Sequence, residues 1–157
     1  MKLLRPALTL TGAIAAPAVA DTCNVPAGWA KPTAHFAARR MPMSFALSVG
    51  PANRLTLLPS ADVTPVVASA HKSKPNTLAG IAAIDVPRAG KLEIALSTPT
   101  YVDLVRDEKI IPSISHRRAD PCTGIHKIVA FDVAPGRYVI QLSDAATASI
   151  VLQATLD

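Results

Sequence analysis

Proline is the feature that most limits what this chain can fold into. Fourteen prolines recur along 157 residues, and each one lacks a backbone donor and clashes with the preceding turn of a helix interior. Helical spacing is hard to sustain under that density. From Ser44 onward apolar and polar residues instead alternate, which is the period of a half-buried strand. Candidate strands span 44–49, 53–59, 63–69, 78–86, 91–97, 100–106, 109–114, 125–133, 137–143 and 148–156. The clearest runs from Arg137 to Ser143, with Tyr138, Ile140 and Leu142 on one face and Arg137, Gln141 and Ser143 on the other. Short strands at this spacing, separated by turn residues, predict an all-β antiparallel sandwich, jelly-roll or immunoglobulin-like.

A near-repeat supports two corresponding corners in such a sandwich. Ala83-Ile84-Asp85-Val86 leads through Gly90 into Leu92-Glu93-Ile94-Ala95-Leu96-Ser97, and Ala130-Phe131-Asp132-Val133 leads through Gly136 into Tyr138-Val139-Ile140-Gln141-Leu142-Ser143. Two copies fall short of a solenoid. In the second copy Pro135 presets φ for the turn and Gly136 supplies a positive φ. Tyr138, just past that turn, is placed to hydrogen-bond back across the corner.

The N-terminus reads as a leader. Lys2 and Arg5 precede an apolar run, and Ala18-Val19-Ala20 forms an A-x-A cleavage site before Asp21, the pattern of a secretory signal peptide. The run is too short to span a bilayer, which takes roughly 20 residues. The expected organisation is therefore a signal peptide over 1–20, an N-terminal arm over 21–43 and a sandwich domain over 44–157, with the product periplasmic or secreted and no integral membrane segment. Two cysteines, Cys23 and Cys122, are an even number in an oxidising compartment and are expected to pair. Such a bridge would tether the arm and close most of the exported chain in one loop, for which chain entropy gives about 4 to 5 kcal/mol.

Charge and composition narrow the function classes. The formal net charge is +5, but the basic residues are scattered, the densest groups being Arg39-Arg40 and Arg117-Arg118. No basic face interleaved with stacking aromatics is visible, so nucleic acid is not an expected partner. There is no Gly-x-Ser-x-Gly elbow and no phosphate-binding glycine loop, and no residue is assigned a catalytic role. Asp103, Asp107 and Glu108 read as an exposed strand end. His116, Asp120 and His126 lie close in sequence to Cys122 and are the candidate metal ligands, for copper or zinc. Solvated surface histidines are the plainer reading of the same residues, and His71 and His35 are plainer still. Among the aromatics, Phe45, Phe131 and Tyr138 fit a core, which leaves Trp29, Phe36 and Tyr101 as candidates for stacking on a ligand, with Trp29 and Tyr101 carried forward. A lone Trp beside a disulfide is also a natural packing plug.

One resemblance bears on function. The stretch from Ser113-Ile114-Ser115-His116 through Asp120-Pro121-Cys122-Thr123-Gly124-Ile125-His126-Lys127 to Pro135-Gly136-Arg137-Tyr138, with the strands from about Ala79 to Val105, resembles a family of small exported proteobacterial proteins without an assigned activity. Members of that family sometimes carry the name homogentisate 1,2-dioxygenase. The resemblance implies a non-haem iron enzyme, in which two histidines and one carboxylate hold the metal; here His35, His71, His116 and His126 with Asp103, Glu108 or Asp120 would have to supply them, and none of that enzyme's ligands can be carried over by spacing. The function expected from the residues themselves is a non-enzymatic binding or accessory module for an unknown protein or small ligand, without a cofactor. The iron dioxygenase and a small copper or zinc protein are the alternatives.

Overall fold

The computed structural model describes residues 23–43 and 45–157; the leader expected over 1–20 lies outside them. Twelve strands are present among these residues: β1 (Thr33–Phe36), β2 (Leu47–Ser48), β3 (Ala52–Thr56), β4 (Leu58–Pro59), β5 (Leu78–Val86), β6 (Gly90–Leu96), β7 (Tyr101–Arg106), β8 (Lys109–Ile111), β9 (Ser113–Arg117), β10 (Lys127–Val133), β11 (Gly136–Ala145) and β12 (Ser149–Leu156). No helix among them is long and apolar enough to cross a membrane. The strands form two sheets that pack face to face. The first has the order β1-β3-β12-β6-β10-β9, and the second β2-β5-β11-β7-β8, with β4 also on β5.

Strand order decides between the two sandwich types left open by the sequence. Four strands of the first sheet, β3-β12-β6-β10, face four of the second, β5-β11-β7-β8, and each of the pairs β3 with β12, β6 with β10, β5 with β11 and β7 with β8 is antiparallel. That interleaving of two Greek keys is the jelly roll. Two short parallel pairings, β1 on β3 and β2 on β5, make both sheets mixed at an edge.

Alternation builds the core. Leu55, Leu92, Ile94, Leu96, Phe131, Ile150 and Leu152 of the first sheet meet Ile84, Leu104, Ile140 and Leu142 of the second, all within one continuous buried cluster. Each such side chain stabilises the fold by roughly 1.5–3 kcal/mol relative to leaving it in water. The two near-repeated segments are the corners where the chain changes sheet, β5 to β6 and β10 to β11, and they lie on each other. Val86 sits opposite Gly136 and Val133 opposite Gly90. The Tyr138 hydroxyl closes the second corner as expected, accepting from the Ala134 N–H at 3.0 Å and donating to the Ala134 carbonyl at 2.9 Å.

The strand expectations fail in four places, each for a local reason. Residues 63–69 are not a strand, because Pro65 interrupts the run and the N–H groups of Val66 and Val67 go to the Gln141 side chain. The 53–59 run divides at Leu57 into β3 and β4, which belong to different sheets. The 109–114 run divides at Pro112, where the chain leaves the second sheet as β8 and enters the first as β9. The arm, finally, is part of the sandwich: Thr33–Phe36 is an edge strand, and Ala38 then exchanges hydrogen bonds with Ile81 on the opposite sheet at 2.8 and 3.0 Å.

Beyond the core, both sheets are covered on their outer faces as well. Over the first sheet lies the segment that starts at Cys23, bonded to Cys122 with a Cα–Cα distance of 5.9 Å. Trp29 packs there against Ala52, Ala95, Ile125, Ile128 and Val151. Over the second sheet runs the long connection between β4 and β5, residues 60–77, which opens with the short 3₁₀ turn Ser60–Asp62. The open edge of β5 is satisfied piecewise: by β4 at Ala79, by Ala38 at Ile81, by the Met43 sulfur at Ala83 and by β2 at Ile84. Gly80 has no room for a side chain, since a Cβ would lie 2.4 Å from that of Ala37.

Candidate functional site

The connection over the second sheet does not seal it. Between residues 60–77 and the outer faces of β5, β7 and β11 lies a cleft of about 190 Å³, with Val63, Pro65, Ala79 and Ile81 as apolar wall and Ser69, His71, Asp103, Gln141 and Ser143 among its polar lining. Strand parity puts the polar groups there. Asp103 and Gln141 are opposite one another in the β7–β11 register, as are Tyr101 and Ser143, and all four project away from the core that Val102, Leu104, Ile140 and Leu142 build.

Two tethers hold the covering connection. Gln141 is the first: its side-chain oxygen accepts from the Val66 and Val67 N–H groups at 2.5 and 3.1 Å, and its amide nitrogen donates to the Val67 carbonyl at 3.0 Å. The second is Asp144. A register shift between Leu142 and Ala145 bulges β11 and puts Asp144 in the left-handed region at φ 56°, a conformation Asp tolerates better than most residues. The bulge turns the Asp144 carboxylate toward the connection, where it bonds the His71 Nε2 and accepts from the Lys74 N–H at 2.7 Å. The His71 hydrogen bond first, and the Lys74 N–H second, hold the Asp144 carboxyl below the usual carboxylate range. His71 stacks on Tyr101 with ring centroids 4.2 Å apart.

Among the described residues, Asp103 stands apart from every other acid. Asp85 is paired with Arg137 at 2.7 Å, Glu93 with Lys91 and Arg117, Asp107 with Arg106, Asp157 with Lys91 and Asp144 with His71. Asp120 caps the 3₁₀ turn Pro121–Thr123 by accepting from the Cys122 N–H. Asp62, Glu108 and Asp132 face water. Asp103 is only 6% exposed, yet among the described residues no hydrogen bond or ion pair reaches its carboxylate. The strand-end reading therefore fails for Asp103: it lies mid-strand, and only Asp107 and Glu108 form the exposed turn, both at positive φ.

The remaining candidates are dispersed. His116 lies on the fully exposed strand β9, opposite Val129, beside a cleft that Tyr101 and Lys127 also line. His126 lines a different cleft with Arg118, Pro121 and Ile125, and Cys122 is in the disulfide. No group of three His, Cys, Asp or Glu side chains able to hold a metal occurs among the described residues. His116, Asp120 and His126 thus form no ligand set, and the donors do not fit the two-histidine, one-carboxylate iron site implied by the resemblance. Trp29, 8% exposed, is a packing residue with its ring faces covered. Tyr101 is 36% exposed and touches the cleft through His71.

Three members of the site were not singled out from sequence: Gln141, Asp144 and the connection itself. A signal for them existed. Leu78-Ala-Gly-Ile-Ala-Ala-Ile-Asp-Val86 is nearly continuous in apolar residues, not alternating, so β5 had to be buried on both faces and something had to cover the outer one. Comparison with protein-family models and with curated proteins gives no match to this chain.

Proposed function

We propose that this is an exported, non-enzymatic binding module whose ligand enters the cleft between residues 60–77 and the second sheet. One observation carries the reading: Asp103, only 6% exposed, lines the cleft with no protein partner on its carboxylate among the described residues, and leaves that carboxylate for something else to complete. Proteins keep such groups where a ligand supplies the missing contacts. The disulfide supports export, since bridges of this kind persist in oxidising compartments. The hydrogen-bond pattern supports binding over catalysis. The His71 ring is held by Asp144, and Ser69 Oγ accepts from the His71 backbone N–H and not from its ring, so among the described residues this ring activates no serine hydroxyl.

Titration of ¹⁵N-labelled mature protein with a panel of small neutral and charged solutes tests the proposal. Saturable amide shifts confined to Gly80, Ile81, Asp103, Ser143 and residues 63–73 are expected. Shifts centred on the Trp29 face, or no saturable shift with any solute, would refute it.

A further inference from the structure

The lining of the cleft also says what kind of molecule completes it. The chain carries 16 Lys and Arg against 11 Asp and Glu, so a buried acid has many potential partners, yet no Lys or Arg side chain lines this cleft. Asp85, on the same outer sheet face, shows the alternative, with Arg137 clamped on it through two hydrogen bonds of 2.7 and 2.9 Å. Two of the other hydrogen-bonding side chains of the cleft are already engaged. Both side-chain atoms of Gln141 bond the 66–67 backbone, and His71 Nε2 bonds Asp144. What is missing is positive charge carried by a donor group. A neutral hydroxyl would supply a hydrogen bond to Asp103 but no charge to balance the carboxylate in a cleft that no cation lines.

Resting on the binding reading above, we infer that the cleft takes a small organic monocation, a primary ammonium on a short apolar stem. The ammonium sits on Asp103, with the stem against Val63, Pro65, Ala79 and Ile81. An ammonium has three donors and no acceptor, which matches a carboxylate with no donor of its own. The short apolar wall limits the stem to a few carbons.

Calorimetric and NMR titrations of the mature, disulfide-bonded protein with n-butylammonium chloride, 1-butanol, glucose and sodium chloride test the class. Butylammonium is expected to bind at least tenfold more tightly than 1-butanol and to shift the Asp103 side-chain carboxyl resonance in the wild-type protein. Asp103→Asn should remove that advantage, whereas Asp62→Asn, an exposed acid, should leave it unchanged. The carboxyl shift needs no variant and decides the matter even if Asp103→Asn folds poorly. Equal binding of butylammonium and butanol, an unmoved Asp103 carboxyl, or displacement of butylammonium by equimolar sodium would overturn the inference. Cleft shifts with glucose or butanol but not with butylammonium would overturn the cation class and leave the binding reading standing. No cleft shift with any of the four would overturn both.

Discussion

The two outer faces of the sandwich are covered by the same device with opposite results. On each, one buried glutamine from a central strand reaches out and holds a covering segment by its backbone. Gln153 of β12 donates to the Ala27 and Gly50 carbonyls at 2.9 and 2.7 Å, and Gln141 of β11 bonds the Val66 and Val67 backbone. Over the first sheet the cover is fixed covalently at Cys23 and plugged with Trp29 against apolar residues. Over the second it is held by hydrogen bonds and a ring stack, with no covalent tie, and leaves a cleft with an unpaired acid in it. Apolar packing is non-directional and seals a surface, whereas a few directional tethers let a segment open without unfolding the core. On the proposed reading, that difference separates a structural face from a binding one.

The largest expected effect comes from cutting the covalent cover. Replacing Cys23 and Cys122 together by serine should destabilise the protein by about 4 kcal/mol in denaturant unfolding, while solute binding at the cleft survives wherever the fold does. Loss of binding in folded protein would break the separation of the two faces. Trp29→Ala removes the plug and should cost about 3 kcal/mol, again without touching the cleft. On the other face Gln141→Ala should cost less, about 1–3 kcal/mol, and its signature is local: accelerated hydrogen exchange at Val66 and Val67, with core amides unchanged.

Asp103→Asn should move stability the other way. Removing a carboxylate charge that has no cation beside it is expected to stabilise the ligand-free protein slightly, by at most about 1 kcal/mol, visible as a raised Tm. A lowered Tm would mean that Asp103 has a structural partner. The smallest effect is that of acid on the Asp144 tether. The folded carboxyl is depressed below its ordinary value of 3.8, so its contribution is present at neutral pH and is lost as the pH falls below that value through the depressed one. The protection factor at Lys74, corrected for the slower intrinsic exchange in acid, should therefore fall below about pH 4, and Asp144→Asn should abolish that acid-dependent step.

How far the sequence discloses this molecule follows the same division. Strands with one face in the core, such as β11 and β12, announce themselves by alternation, and the near-repeat marks the two corners. The cysteine pair is legible because the leader pattern and an even count leave few alternatives. The strands that are missed or misdivided lack that signal. Thr33–Phe36 is held by β3 while facing water, with Phe36 78% exposed, and β8 and β9 read as one run until Pro112 passes the chain between sheets. The site is the least legible part. Asp103 looks like a polar outward position until something covers it, and Asp144 reaches His71 only because a bulge, which leaves no mark in the sequence, turns it. His71 lies in a Lys-, Ser- and Pro-rich stretch that has every mark of a plain surface loop, and only the fold shows what it lies over.

Native-state hydrogen exchange on the disulfide-bonded protein tests the contrast between the two faces most directly. Amides at Val66, Val67 and Lys74, which bond the two polar tethers, should exchange through a local opening at a free energy well below that of global unfolding. Amides at Trp29 and Lys31, under the disulfide-tethered cover, should exchange only as the whole domain unfolds. Equal protection on both faces, or a more protected 60–77 connection, would contradict the assignment of one face as sealed and the other as the one that opens to a ligand.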